Sequence, residues 1–162
     1  IMEMNYLILL AAALVPMVIG FIWYNPKVFG NAWMKAADMS EEKMKGANMA
    51  LIFGLSYLFS IILASALMGI VIHQWGVFSL VGGNPEALAT GVAADFMAEY
   101  GTNFRTFQHG LLHGVIAGFT IALPILGTNA MFERKGFKYI AVNVGYWVVT
   151  MGLMGGVICQ FM

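Results

Sequence analysis

Four apolar stretches, each long enough to cross a bilayer as a helix, constrain this chain more than any other feature. About 20 helical residues cross ~30 Å of hydrocarbon. Stretches of that kind run from Met4 to Trp23, Met49 to Ile72, Phe107 to Gly127 and Tyr139 to Phe161. Lipid offers the backbone no hydrogen-bond partner, so each span must pair its own N–H and C=O groups. The expected fold is therefore all-α: one integral membrane domain over residues 1–162, with four transmembrane helices. Charge content agrees. Charged residues make up 10% of the chain and hydrophobic residues 60%, where a soluble domain carries about 25% charged residues. The first stretch reads as a span rather than a cleavable signal peptide. It has no basic start and no small-residue cleavage site, and its apolar part is too long. Trp23 and Tyr24 fall where an interfacial aromatic belt would lie.

The basic residues orient the spans. Lys27, Lys35, Lys43 and Lys45 fall between the first and second spans, and Arg134, Lys135 and Lys138 between the third and fourth. The other side holds Arg105 with Glu3, Glu86, Asp95 and Glu99. The positive-inside rule puts the basic loops in the cytoplasm and both termini outside. The spans then form two hairpins of like orientation. The lipid bilayer is the expected partner, and topology accounts for the basic residues without nucleic acid.

The connections carry their own signals. Asn25-Pro26 is a helix start, and Val28, Phe29, Ala32 and Trp33 share one face, which predicts a short cytoplasmic helix in the headgroup region. Ser40, Glu41 and Glu42 read as the capped start of a helix continuing into the second span. The connection over residues 73–106 exceeds the usual length of a structureless loop. Its apolar residues and the break at Gly82-Gly83-Asn84-Pro85 predict an outer helical cap. Within it Pro85 to Tyr100 reads as one amphipathic helix, with Leu88, Val92, Phe96 and Tyr100 at near-helical spacing.

Small residues mark helix contacts. Gly110, Gly114, Gly118 and Ala122 recur every four residues in the third span. Ala141, Gly145, Gly152 and Gly156 repeat the device in the fourth. Such stripes let membrane helices approach closely. One stripe satisfies a monomer, so two favour a homo-oligomer; the alternative is that the stripes pack on each other. Pro16 and Pro124 predict kinks. Asn143 is expected to hydrogen-bond between helices. Asn129, Glu133 and Arg134, with Lys135, read as an interfacial ion cluster. Cys159, the only cysteine, is expected as small apolar filler.

The candidate polar site is Arg105, His109 and His113, with His73, Asp95 and Glu99 as further members. His109 and His113 are four apart and share a helix face, and ionisable groups inside a membrane are expensive to keep there. Three readings stay open. The pair with a carboxylate suits a transition metal or zinc; it suits a proton or solute path; or each imidazole hydrogen-bonds a neighbouring helix. No resident cofactor is expected, and a metal at His109 and His113 is carried as an option.

Several motifs resemble one family. Met4-Asn5-Tyr6-Leu7, Gly20-Phe21-Ile22-Trp23-Tyr24-Asn25-Pro26 and Phe29-Gly30-Asn31-Ala32-Trp33-Met34 are similar to the DUF1761 family of bacterial membrane proteins. So are Gly127-Thr128-Asn129-Ala130-Met131-Phe132-Glu133-Arg134, Gly145-Tyr146-Trp147 and Gly155-Gly156. The stretch from Arg105 to Gly110 and on to Gly114 is similar to longer-loop members. The resemblance spans the chain. It implies a four-helix protein of the bacterial cytoplasmic (inner) membrane and no defined activity.

Three functions are therefore carried. The leading one is a self-associating structural or accessory membrane subunit, joined to a larger membrane complex or standing alone. The second is an oligomeric channel or transporter for an ion or small solute, with a histidine-lined outer vestibule. The third is a metal- or lipid-binding membrane protein. An enzyme is disfavoured, since no nucleophile–base constellation or phosphate loop is present.

Overall fold

The computed structural model describes residues 4–162; Glu3, placed above on the acidic side, lies outside them. The described residues are helical with no strand. In chain order the helices are α1 (Tyr6–Trp23), α2 (Pro26–Gly30 as a π turn running into Asn31–Ala37), α3 (Glu41–Met44), α4 (Met49–Val71), α5 (Gln74–Leu80), α6 (Pro85–Leu88), α7 (Gly91–Tyr100), α8 (Phe107–Phe132) and α9 (Phe137–Phe161). Four of them, α1, α4, α8 and α9, are long and apolar enough to span a membrane. The third span runs five residues beyond the expected Gly127, to Phe132.

Side-chain caps set several helix starts, each satisfying backbone N–H groups that have no partner in the first turn. Asn5 Oδ1 accepts from Leu7 N and Ile8 N, Asn48 Oδ1 from Leu51 N, and Thr106 Oγ1 from His109 N. Asn25 and Ser40 cap as the sequence predicts, accepting from Lys27 N and Lys43 N.

The last helix is the hub. In α9, 61% of the most apolar window is buried, against 22% in each of α1, α4 and α8. It runs antiparallel to α8, and the two stripes pack on each other. A Cβ added at Gly110 would meet the Gly155 carbonyl, and one at Gly114 the Met151 carbonyl. One at Gly118 would sit 2.7 Å from Val148 Cα. On α9, Gly152 faces Val115, Gly156 faces the Phe107 ring, and Gly145 faces the Trp23 indole of α1. All six glycines thus face neighbours inside the chain. Trp23, expected only as an interfacial aromatic, donates through Nε1 to the Val142 carbonyl at 3.0 Å. Asn143 bridges as predicted, accepting from the Tyr24 hydroxyl at 3.0 Å. The core beneath these contacts centres on Leu67, Val71, Ile72, Met154 and Ile158.

Pro16 and Pro124 interrupt their helices. α1 breaks at Ala13–Leu14, just before Pro16, and the Pro16 carbonyl accepts from the Tyr146 hydroxyl at 2.8 Å. Ahead of Pro124, α8 widens into a π turn over Gly118–Ala122. A π turn at this point accommodates the proline's missing N–H and its ring.

The connections depart from the sequence reading in three places. The helix from Ser40 does not continue into the second span. It stops at Met44, and the chain turns through Gly46 at φ +85° before Asn48 starts α4 afresh. Pro85–Tyr100 is two helices, not one, because the chain turns at Ala89–Thr90 and through Gly91 at φ +58°. Of its apolar stripe only Leu88 is buried; Val92 is 86% exposed. Finally, Glu133 and Arg134 form no ion pair. Arg134 adopts φ +56°, and Lys135 N returns to the Ala130 carbonyl at 2.8 Å, a left-handed helix end that directs the chain into α9. Lys135 instead donates to the Ala37 carbonyl at 2.9 Å, tying α8 to α2. Among the described residues the one ion pair is Lys43–Asp38, 3.0 Å apart and exposed. The hydrogen bond from Lys43 holds the Asp38 carboxyl below its usual range.

Candidate functional site

Three histidines from two segments meet at the end of the bundle where α5–α7 connect α4 to α8. His73 stands in the turn between α4 and α5, while His109 and His113 occupy successive turns of α8. The Nε2 atoms of His73 and His109 lie 3.3 Å apart. Ring centroids are 4.9 Å apart for His73–His109, 4.8 Å for His73–His113 and 4.4 Å for His109–His113. One ligand nitrogen from each ring falls within 4.8 Å of the other two. His73 is exposed and the other two are half-buried.

The spacing matters chemically. Two nitrogens bound at 2.0–2.1 Å to a tetrahedral ion lie about 3.3 Å apart. The His73–His109 separation already equals that edge. The same separation also suits an imidazole–imidazole hydrogen bond, in which one ring donates and the other accepts.

A network around Cys159 positions the two segments. The buried thiol faces the carbonyls of Val71 and Phe104, each at 3.3 Å. Val71 is two residues before His73, and Phe104 is five before His109, so one side chain of α9 spaces both arms of the site. Arg105 Nε donates to the Cys159 carbonyl at 3.2 Å. Gln160 Oε1 accepts from Phe107 N at 2.9 Å, filling a donor position of the first turn of α8. The Phe104 ring stacks on His109 with centroids 5.1 Å apart. It does so from φ +62°, a left-handed conformation strained for a residue with a Cβ. Gln74, next to His73, ties down the connection from α7 to α8 by donating from Nε2 to the carbonyls of Tyr100 and Asn103 at 3.0 and 2.9 Å. Its Oε1 is buried without a partner.

The expected site is thus partly assembled. His73, His109 and His113 come together. Arg105 does not join them; it turns to α9 and borders a cavity of about 820 Å³ shared with Trp75, Met97 and Met162. Asp95 and Glu99 are outside the histidine group, and Glu99 acts instead on the Tyr100 phenol, whose pKa it raises. Asn129, Glu133 and Arg134 lie at the opposite end of α8. Cys159, Phe104 and Gln74 were not legible as site residues. Cys159 and Gln74 are single side chains whose partners lie 26 to 88 residues away. The left-handed Phe104 had no local signal, although its place two residues before the Thr106 cap marks it as an element boundary.

A family model described as a protein of unknown function (DUF1761) matches residues 7–159. No curated protein and no solved structure matches the chain.

Proposed function

The chain belongs to the DUF1761 family, and from that premise we propose that it is a membrane protein that binds a divalent transition-metal ion through His73, His109 and His113. The convergence of three imidazole nitrogens within 4.8 Å carries this reading. Imidazole suits zinc, copper and nickel, and a three-histidine set with one open position is a known zinc arrangement. With neither carboxylate nor thiolate in the group, the protein contributes no charge to the ion. A hydrated or anion-paired ion therefore suits the open position better than a bare one. The exposed His73 leaves the site reachable from the cap face.

The membrane orientation belongs to the same reading. Seven basic residues lie on the face opposite the cap, so the positive-inside rule directs them to the cytoplasm and the histidines outward. The ion would then be taken from outside the cytoplasmic membrane. Because one chain supplies all three histidines, the reading needs no ring of subunits.

The test is calorimetric titration of purified, detergent-solubilised protein with zinc and with nickel. One ion per chain is expected, with affinity at least tenfold weaker in His109→Ala and in His113→Ala. Circular dichroism confirms that each variant is helical. Affinity unchanged in the double variant, or no saturable binding by the parent protein, overturns the proposal.

A further inference from the structure

All four spans end around one cavity. Asn5 caps α1, Ile72 follows α4, Arg105 stands just before α8 and Met162 follows α9. Each lines the space of about 820 Å³ that Arg105 borders. Trp75 of α5 and Thr102, past the end of α7, line it as well. Gln74 fixes the Thr102 side, because it holds the carbonyls of Tyr100 and Asn103. Residues at the ends of spans sit where hydrocarbon gives way to headgroups and water. A ligand at that level meets an aqueous and an apolar medium at once.

The charge in this cavity is one-sided. Arg105 is half-buried, and its Nε donates to the Cys159 carbonyl at 3.2 Å. That bond holds the guanidinium in place, while its two terminal nitrogens have no acceptor among the described residues. Among those residues no carboxylate lines the cavity, and none pairs with Arg105. A half-buried cation attracts an anion more strongly than one in open water, because the local dielectric is lower. The terminal N–H groups of a guanidinium form a fork that matches the paired oxygens of a carboxylate or phosphate. The rest of the wall is largely apolar, with Ile72, Trp75, Met97 and Met162. Leu7, also on the lining, begins an exposed apolar face of α1 that continues through Leu10 and Leu14 at helical spacing. That face leads from the cavity into the hydrocarbon.

We propose that the cavity binds an anionic amphiphile, whose acidic head accepts from the Arg105 fork and whose alkyl chain follows the Leu7–Leu14 face. The chemistry is a carboxylate or phosphate on a hydrocarbon chain, which a fatty acid and an acidic lipid both supply. A neutral lipid leaves the guanidinium without an acceptor, and a small inorganic anion leaves the apolar wall uncovered. The site uses none of the three histidines and needs no metal.

Calorimetry of the full chain in dodecyl maltoside micelles tests the assignment, with dodecyl phosphate and dodecanoate as probes. The detergent presents the same alkyl chain without charge, so binding above it reports the anion. Saturable binding of one probe per chain is expected, and the tighter of the two identifies the head. Affinity should fall about tenfold or more in Arg105→Gln, the effect of one lost charge-assisted pair. Thr102→Glu, at an exposed position, should lose as much by placing a carboxylate in the cavity. It serves if Arg105→Gln does not fold, which circular dichroism decides. Inorganic phosphate should bind at least tenfold more weakly than dodecyl phosphate. Uptake of both probes that grows without saturation, equal binding of inorganic phosphate, or unchanged affinity in Thr102→Glu or in folded Arg105→Gln each overturns the proposal.

Discussion

The Nε2 atoms of His73 and His109 lie 3.3 Å apart across the joint between α4 and α8, with His113 one turn further along α8. Metal and protons compete for these nitrogens, because a bound imidazole must be neutral. Zinc affinity should therefore fall as the solution is acidified, because protons displace the ion from the nitrogens. Titrations at pH 7.5 and 5.5 should differ more than tenfold. Equal affinities at the two values would remove the histidines as ligands.

Gly114 faces the Met151 carbonyl with no room for a side chain. Gly114→Val should force α8 and α9 apart, at a cost of roughly 1–3 kcal/mol or more. Gly54, inside α4, has nothing within 4 Å of an added Cβ. Gly54→Ala should be neutral or stabilising by about 0.5–1 kcal/mol, since alanine loses less freedom in a helix. Thermal unfolding in detergent compares the two, and a Gly114→Val protein as stable as the parent would contradict the packing described.

Phe104 stacks on His109 from a left-handed backbone conformation. Phe104→Gly should release about 1 kcal/mol of strain and lose about 0.5–1.5 kcal/mol of stacking, leaving stability nearly unchanged. Metal affinity should fall several-fold because His109 loses the ring that orients it. A large change in melting temperature with affinity intact would reverse the assignment.

Tyr24, just past the end of α1, has its phenol pKa raised above the usual 10.0, mainly by burial and then by the neighbouring Tyr146 and Tyr139. A raised folded-state value stabilises the protein below the unfolded value and is lost as pH rises above it. Between pH 9 and 11 the parent should lose more thermal stability than Tyr24→Phe. At neutral pH, Tyr24→Phe should cost about 1 kcal/mol, for the hydrogen bond to Asn143. Parallel pH profiles would show that Tyr24 does not resist ionisation.

The caps were legible because they are local: Asn25 and Ser40 act on N–H groups two and three residues away. The His109–His113 pair was legible for the same reason, being one helical turn apart. His73 was named as a further member from its place at the end of the second span. Its actual approach, 36 residues away in the chain, depends on how α4 packs. Asp95, Glu99 and Arg105 were equally plausible by sequence side. In the fold Asp95 and Glu99 fall outside the histidine group, and the Cys159 carbonyl takes the Arg105 guanidinium.

The sequence by itself determined the four spans, their alternation across a membrane and the small-residue stripes. Each follows from the chemistry of a short window: hydropathy sets the solvent a segment prefers, and a period of four sets the face it presents. Only the tertiary structure decided what those faces meet. It made α9 the hub, turned both stripes toward each other and brought His73 to the α8 pair. These depend on which helices pack closest, and that choice rests on backbone contacts between residues far apart in the chain.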